Sequence, residues 1–363
     1  MRTVPLLVLA AAAAAPAADW PVFRGTPEMA GVAAAKLPAE LHERWTFRTK
    51  GDVAAAPVVA GDVVFVASLD KHLYAVDLAA GTQKWKCPLG PIKAAPAVSN
   101  GRVYVGDVEG KFYAVDARTG EKLWTFEAGG EITGGANFHG TNVLFGAHDS
   151  TLYCLSAEGK KVWDFKIDGP VNGAVAVVGD RTFVAGCDSI LHVIDANKGT
   201  SVGQVDLGGQ AGSTAAVFGD FVYVGTMANQ VVEVNWKKPA KGWTFEAKRR
   251  QQPFYASAAV TDALVVTASR DKKVYAIDRK TGREKWSFVT EGMVDASPVV
   301  VGDRVYVGCL SGGAEFYVLD LTTGRKVQEL TLDSAVSSSA AVAGDCVLVG
   351  TEKGTLYCLG AKK

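Results

Sequence analysis

An all-β fold is predicted by three residue registers that recur together at intervals of 39 to 43 residues. Each register has eight occupants, and a shared period of this length indicates a repeated supersecondary unit. The first register ends a predicted strand, the second lies three residues earlier, and the third is the turn before the preceding strand. The first comprises Asp77, Asp116, Ser156, Asp195, Asn235, Asp278, Asp320 and Gly360. The second comprises Tyr74, Tyr113, Tyr153, His192, Val232, Tyr275, Tyr317 and Tyr357. The third comprises Asp62, Gly101, Thr141, Asp180, Asp220, Asp262, Asp303 and Asp345.

The stretch from Arg102 to Trp124 shows how one repeat is built. Residues 102–106 and 111–116 carry β-branched and aromatic side chains in alternation, which predicts two strands. Gly110 and Gly120 lie where tight turns need a positive φ, so one turn joins the two strands and a second follows them.

A tryptophan register has the same period but is shifted along the chain. It begins before the first strand pair and has no occupant after Gly360, so the two chain ends carry complementary halves of one unit. Pairing the ends closes a ring and removes exposed sheet edges. The sequence therefore predicts an eight-bladed β-propeller of four-stranded antiparallel blades, with the N-terminal outer strand completing the last blade. The register comprises Trp45, Trp85, Trp124, Trp163, Gly203, Trp243, Trp286 and Gln328.

The N-terminal residues 1–18 are predicted to be a cleavable signal peptide. Arg2 gives a positive start, residues 5–15 form an apolar run, and residues 15–17 (Ala-Pro-Ala) fit a cleavage site. The run is too short to span a membrane. The first cysteine is Cys87, so none lies near the cleavage site for lipidation. We therefore expect an exported protein, either periplasmic or secreted.

The remaining chain divides into an arm and a ring. Residues 19–41 lack the repeat and are expected to run over one face of the ring, anchored by Trp20 and Phe23, whereas residues 42–363 form the propeller. The 38 Lys and Arg residues balance the 38 Asp and Glu residues. This balance argues against nucleic acid as a partner, because phosphate binding needs a clustered basic surface. We expect a monomer without a transmembrane segment.

The chain contains six cysteines, and an exported protein can form disulfides between them. Cys154 and Cys358 occupy the same register position in distant blades, where alanine stands in several other repeats. Cys346 and Cys358 share a predicted hairpin but lie diagonally across it. Free thiols are therefore favoured, with disulfides left open.

On the face that carries the outer-to-inner crossings and central hairpins, the repeat departs from its consensus at loops 248–255 and 311–315. Departures from a local rule often mark function. Loop 248–255 combines guanidinium, amide and aromatic groups, a composition enriched at protein-binding hot spots. A solvated loop is the alternative. The predicted partner-binding residues are Arg249, Arg250, Gln251, Gln252, Phe254 and Tyr255.

No catalytic or metal-binding residue is predicted. The chain contains neither a Gly-x-Ser-x-Gly elbow nor a P-loop, and its histidines do not converge on a metal. Carboxylates that could point toward the channel mouth keep a glycosidase-like or calcium site open. They are Asp107, Glu109, Glu131, Asp168, Glu291 and Asp295.

The unit G-D-x-V-Y-V-G-x-x-D-x-x-x-Y-A-x-D-x-x-T-G-x-x-x-W resembles the tryptophan-docking motif of the pyrroloquinoline quinone (PQQ) propeller repeat, and it recurs over essentially the whole mature chain. The resemblance implies that each Trp packs against the Thr-Gly turn of a neighbouring unit. The indole N–H needs one partner, which a turn carbonyl can supply. The predicted docking residues are Trp45, Trp85, Trp124, Trp163, Trp243 and Trp286.

Two kinds of protein share this repeat. The resemblance implies either a quinoprotein dehydrogenase, with PQQ and calcium between a Trp and a vicinal disulfide, or a non-enzymatic BamB-like protein-binding platform. This sequence has no Cys-Cys pair and no haem CxxCH, and it also lacks the lipid-anchoring cysteine of BamB-like members. We therefore expect a platform without a cofactor that binds other proteins, such as envelope or outer-membrane components. The alternative is a PQQ- or metal-binding redox protein.

Overall fold

Eight four-stranded antiparallel sheets form the blades of a closed ring in a computed structural model that describes residues 19–248 and 251–362. The predicted eight-bladed β-propeller is confirmed. The first strands of neighbouring blades contact one another, including those of blades 1 and 8, so they lie nearest the axis. The described residues contain no helix and therefore none that could cross a membrane. The predicted signal peptide lies outside the described residues.

In blades 1–7 the strands run from innermost to outermost in chain order, whereas blade 8 takes its outermost strand from the N-terminal part of the chain. The innermost strands are β3 (Val58–Ala60), β7 (Ala97–Ser99), β11 (Asn137–His139), β15 (Ala176–Val178), β19 (Ala216–Phe218), β23 (Ala259–Val260), β27 (Val299–Val301) and β31 (Ala341–Ala343). The second strands are β4 (Val63–Ser68), β8 (Arg102–Gly106), β12 (Asn142–Ala147), β16 (Arg181–Ala185), β20 (Phe221–Gly225), β24 (Leu264–Ser269), β28 (Arg304–Gly308) and β32 (Cys346–Gly350). The third strands are β5 (His72–Asp77), β9 (Lys111–Asp116), β13 (Thr151–Leu155), β17 (Ile190–Asp195), β21 (Gln230–Asn235), β25 (Lys273–Asp278), β29 (Glu315–Asp320) and β33 (Thr355–Gly360). The outermost strands are β6 (Gln83–Pro88), β10 (Lys122–Glu127), β14 (Lys161–Lys166), β18 (Thr200–Asp206), β22 (Ala240–Glu246), β26 (Glu284–Val289), β30 (Lys326–Thr331) and, in blade 8, β2 (His42–Arg48).

Burial follows from the stacking of blades. The second and third strands are buried on both faces because each blade packs against a neighbour on either side, whereas outermost strands such as β10 expose alternate residues. Aromatic rings fill several of these interfaces. Phe112 of blade 2 and Phe145 of blade 3 stack with ring centroids 3.8 Å apart.

The ring closes where the N-terminal strand β2 pairs with the last strand β33, as predicted. The Arg44 guanidinium donates two hydrogen bonds to the Asp345 carboxylate, at 2.8 and 2.6 Å. At the junction with blade 7, the Gln328 side-chain amide exchanges two hydrogen bonds with the backbone of Leu41, at 2.8 and 2.7 Å. Gln328 thus uses the tryptophan position of blade 7 to hold the segment that leads into the closing strand.

The six docking tryptophans share one geometry. Each indole N–H donates to the carbonyl that follows the repeat Asp or Ser of the next blade, at 2.9–3.0 Å. A glycine in the same turn lies under each ring, at a positive φ where a Cβ would collide with the indole. Asp116 shows the cap of such a turn, since its Oδ1 accepts hydrogen bonds from the Arg118 and Thr119 amides. These bonds lower the pKa of the Asp116 carboxyl.

The junction between blades 4 and 5 lacks a docking tryptophan and reverses the arrangement. Gly203 occupies the tryptophan position of blade 4. The aromatic side chain at this junction is Trp236 of the neighbouring blade 5. Its ring meets Phe183 of blade 4 edge-on at 5.4 Å, and its indole donates to the Gly219 carbonyl. Pro239 fills the space beside Gly203. The irregular turn of blade 5 therefore supplies what blade 4 lacks.

The prediction that the N-terminal arm runs over one face of the ring is wrong for residues 19–33. Residues 19–33, here called the plug, lie inside the channel. The innermost strands present free backbone edges there, and carbonyls of the plug accept hydrogen bonds from those edges. Trp20 pairs with Val59 of blade 1 in both directions at 2.9 Å, and β1 (Val32–Ala33) joins blade 7 as a parallel strand.

The plug contacts the blades in chain order. Between its two ends, its carbonyls accept hydrogen bonds from backbone amides of blades 2, 4, 5, 6 and 7 at 2.7–3.0 Å. Blade 3 participates through a side chain instead, because the Asn137 Nδ2 donates to the Pro27 carbonyl at 2.8 Å. The donors are Val98, Val177, Val217, Val260 and Val300. The plug thus satisfies edge donors that would otherwise be left without partners.

All six cysteines are free thiols. Cys87, Cys154, Cys309, Cys346 and Cys358 are buried, and only Cys187 is partly exposed. Burial raises the pKa of the Cys154 thiol to about 12, so this thiol stays protonated at neutral pH. The buried cysteines act as small apolar side chains of the blades.

Candidate functional site

The channel mouth opens on the face opposite the Asp-capped turns. The chain enters each innermost strand there, and two residues from every entry segment line a cavity of about 200 Å³. The outer ring of lining residues comprises Ala54, Lys93, Thr133, Asn172, Gly212, Tyr255, Asp295 and Ser337. The inner ring, two residues later in each blade, comprises Ala56, Ala95, Gly135, Ala174, Thr214, Ser257, Ser297 and Ser339. Phe23 of the plug also lines the cavity.

The inner ring has two different halves. Blades 1–4 contribute alanine or glycine, whereas blades 5–8 contribute hydroxyls. Each hydroxyl oxygen accepts a hydrogen bond from the backbone N–H of the equivalent residue in the preceding blade, at 2.9–3.1 Å. This hydroxyl arc (Thr214, Ser257, Ser297 and Ser339) therefore ties blades 4–8 together, and all four residues are buried.

The apolar half is closed from below by the plug. Phe23 lies against Gly135, where a larger residue would meet the Phe23 side chain, and it packs against the buried cluster of blades 4 and 5. Small residues on this side leave room for the aromatic ring.

An ion pair stands at the rim between blades 6 and 7. The Arg270 guanidinium donates to both carboxylate oxygens of Asp295, at 2.8 and 2.7 Å. It also lies over the Tyr255 ring, 4.4 Å from the centroid. The hydrogen bonds to Asp295 raise the pKa of the Arg270 guanidinium. Because two partners fix Arg270, the rim presents a rigid aromatic and cationic surface.

Two exposed apolar side chains lie in the segment that leads from the outermost strand of blade 6 to Asp295. Val289 ends β26 and is 65% exposed, and Met293 in the following loop is 41% exposed. The backbone of Met293 accepts a hydrogen bond from the Leu310 amide at 2.7 Å. This bond connects the irregular hairpin of blade 7 to the same surface. We call Tyr255, Arg270, Val289, Met293 and Asp295 the blade 6–7 rim.

The structure separates the predicted partner-binding residues. Tyr255 lines the mouth, Gln251 is exposed and Gln252 is half-buried. Phe254 is completely buried and packs against Phe245 and Tyr275, so its assignment to the partner-binding surface is wrong. Its position in the repeat is that of the buried aliphatic residue before the mouth. Arg249 and Arg250 lie outside the described residues.

Of the carboxylates predicted near the mouth, Asp295 alone lines the cavity. Asp107 is buried in its hairpin, where it accepts hydrogen bonds from the Tyr113 hydroxyl at 2.6 Å and from two backbone amides. The exposed residues Glu109, Glu131, Asp168 and Glu291 do not line it. Within the described part of the chain, no three Asp, Glu, His or Cys side chains gather in a way that could hold a metal.

His192 repeats the hairpin contact with a different side chain. Its Nε2 lies 2.6 Å from Asp188, as the tyrosine hydroxyls do from their hairpin carboxylates, and its Nδ1 lies 3.3 Å from the Gln204 amide. His192 is therefore a packed, hydrogen-bonded residue that takes the place of the repeat tyrosine.

The residues of the mouth do not fit PQQ with calcium. The cavity contains no cysteine that could stack on a quinone, and its one carboxylate, Asp295, is already bound by Arg270. The plug occupies the channel below the mouth.

The sequence matches the family described as outer membrane protein assembly factor BamB over residues 38–111, 108–201 and 187–363. The chain belongs to this family. No curated protein matches the sequence. BamB from Moraxella catarrhalis is a solved structure of similar fold, with 19% identity and a TM-score of 0.77 over 89% of this chain and 98% of that chain.

Quinoprotein enzymes have the same fold as this BamB-family chain. A europium-containing methanol dehydrogenase shares 13% identity, with a TM-score of 0.78 over 95% of this chain and 98% of that chain. The quinohemoprotein alcohol dehydrogenase from Comamonas testosteroni shares 14% identity, with a TM-score of 0.80 over 95% of this chain and 81% of that chain. At these identities the likeness establishes the fold alone.

Proposed function

We propose that this chain is a non-enzymatic, exported protein-binding platform that acts in the assembly of envelope proteins. Its partner-binding surface is the blade 6–7 rim together with Gln251 and Gln252. The exposure of Val289 and Met293, in the segment that leads to the fixed Tyr255–Arg270–Asp295 cluster, carries this proposal. Tyrosine, arginine and methionine are enriched at protein interfaces, and an exposed apolar patch with a polar border is typical of such sites.

The state of the channel supports the same function. A cofactor or drug-sized ligand usually occupies a pocket of roughly 300–1,000 Å³. The mouth offers about 200 Å³ above a channel filled by the protein's own plug. Binding on the rim needs no deeper cavity. The family's description as an outer membrane protein assembly factor and the predicted signal peptide support a location in the periplasm or outside the cell.

The experiment is cross-linking from the rim in envelope extracts of the native host. A photo-reactive amino acid at position 289 or 293 is expected to give a discrete protein adduct, which mass spectrometry identifies. The identified protein is then purified and its affinity measured. The double substitution Val289→Asp, Met293→Asp should weaken binding at least about tenfold, the effect of losing one or two interface anchors.

A matched control comes from other exposed valines. Val202 and Val327 are 46% and 43% exposed on outermost strands of blades 4 and 7. The double substitution Val202→Asp, Val327→Asp should leave the affinity unchanged. Equal loss in both double variants, or no adduct from the rim, would contradict the assignment of the surface.

The alternative is a quinoprotein-type redox function. It merits a test because the dehydrogenases described above have the same fold. Calorimetric titration with PQQ, with and without calcium, should give no stoichiometric binding, and an alcohol- and glucose-oxidation assay should show no turnover. Micromolar binding with dye reduction would overturn the non-enzymatic proposal.

A further inference from the structure

The centre of the plug contains buried hydrogen-bond donors without acceptors. Among the described residues, seven buried side-chain nitrogen or oxygen atoms lack a partner, and five belong to Trp20, Arg24 and Thr26. Arginine and tryptophan side chains can only donate, and a threonine hydroxyl can donate as well. The other two atoms are oxygens of Asn229 and Asp271 in distant hairpins. The plug therefore concentrates unmet donors in one seven-residue stretch.

Arg24 is the strongest of these donors. Its side chain is 1% exposed, and none of its three guanidinium nitrogens has a hydrogen-bond partner. No carboxylate of the described residues forms an ion pair with it. Burial lowers the pKa of the Arg24 guanidinium to about 9, so the group remains charged at neutral pH. A buried charge without a counter-charge is strongly unfavourable.

The fold of the plug explains why Arg24 is held there. Residues 20–22 bind blades 1 and 2, and residues 27–31 continue around blades 3–7. Arg24 lies in the turn between these limbs, with a left-handed φ of 64°. Its carbonyl accepts the Gly31 amide at 3.2 Å, and its guanidinium covers Gly31, where a Cβ would collide with Nη2. The charged group thus reaches from one limb of the plug to the other.

We propose that Arg24 binds a small monovalent anion, a halide or a short carboxylate, at the centre of the plug. The planar guanidinium offers donors arranged for a carboxylate, and it also pairs with a halide. A bound anion neutralises the only charge in the turn of residues 22–26 and connects the two limbs. This site is independent of the proposed rim surface.

Crystals of the purified protein test the site directly. Crystals grown with bromide are expected to show an anomalous peak within hydrogen-bonding distance of the Arg24 guanidinium. A second crystal grown in formate without halide is expected to show a carboxylate there. Either anion supports the proposal and identifies the class preferred. Only water beside Arg24 in both crystals would overturn it.

Thermal unfolding tests the same site in solution. Raising chloride should increase the melting temperature by roughly 2 °C more than gluconate at equal ionic strength, because a ligand that binds only the folded state stabilises it. Arg24→Met should abolish this difference, whereas Arg118→Met, at an exposed turn, should retain it. If Arg24→Met fails to fold, Arg24→Lys keeps a positive charge and should keep a chloride response. An equal chloride response in Arg24→Met and the wild type would contradict the proposal.

Discussion

Blades 1–4 and blades 5–8 share one scaffold but differ at the channel mouth. The inner ring of the first half consists of alanine and glycine, beside Phe23 of the plug. The second half carries the hydroxyl arc, the Arg270–Asp295 pair and the exposed apolar residues of the rim. The repeat motif therefore determines the blade, whereas the lining residues are free to differ, and the surface proposed for partner binding lies on one side of the ring.

Removing two hydroxyls should have the largest effect on this comparison. Ser257→Ala with Ser297→Ala leaves the buried amides of Thr214 and Ser257 without acceptors. We expect the free energy of unfolding to fall by about 2–6 kcal/mol, since each unsatisfied buried group costs about 1–3 kcal/mol. Denaturant unfolding measures this. Ser337→Ala, in the same cavity, serves as the control and should change stability by less than about 0.5 kcal/mol. Similar losses in both variants would show that the arc does not hold blades 5–8 together.

Phe23→Ala tests the apolar half. Because Phe23 is half-buried, the loss should be about 1–3 kcal/mol, below the 3–5 kcal/mol of a fully buried phenylalanine. The same unfolding experiment gives the value. A change near zero would mean that blades 1–4 do not depend on the plug for packing.

The closure of the ring in blade 8 depends on Gln328 of blade 7 as well as on strand pairing. Gln328→Ala should lower the free energy of unfolding by about 1–2 kcal/mol, because both hydrogen bonds to Leu41 are lost. Hydrogen exchange of β2 amides should accelerate more than that of β10 amides. Gln83→Ala, at an exposed position on β6, is the control. Unchanged exchange in β2 would remove Gln328 from the closure.

The smallest expected effect is a pH-dependent change in stability caused by Glu233 of blade 5. Burial raises the pKa of the Glu233 carboxyl, whose Oε2 accepts the Tyr223 hydroxyl at 3.1 Å. When a carboxyl has a higher pKa in the folded state than in the unfolded state, the folded protein loses stability as the pH rises from the unfolded-state pKa through the folded-state pKa. Glu233→Gln should therefore be more stable than the wild type at neutral pH, with the difference vanishing below about pH 4.3, the unfolded value. Melting temperatures from pH 3.5 to 8 measure this. A difference that persists at low pH would exclude ionisation of Glu233 as the cause.

The ring and its closure could be predicted from sequence because each blade repeats the same local signals. At fixed intervals, glycine allows the turn, aspartate caps it and tryptophan packs over it. The same registers could have corrected the assignment of Phe254, which falls in line with the buried residues Val53, Ile92 and Val294. Composition alone made that loop look like a surface. The hydroxyl arc was also visible as a run of Ser and Thr at one register position.

The position of the plug could not be read in this way. It depends on backbone amides of innermost strands, and every residue except proline carries an amide. Asn137 was the one side-chain signal, as a polar residue in a register otherwise filled by valine and alanine. The rim likewise arises from residues of two blades that only the assembled ring brings together.

The closing contacts have a consequence for the order of folding. Leu41 and Gln328 are 287 positions apart. Leu41 and the adjacent strand β2 therefore cannot bind their partners until most of the chain has been synthesised. Contacts at such separation slow folding and leave intermediates with exposed strand edges. A chain that emerges N-terminus first would therefore carry an unpaired first strand until its last residues appear. A circular permutant that links the end of β33 to the start of the plug, and opens the chain at another blade, would bring β33 and β2 close in sequence while keeping the plug, and it should reach the native ring faster.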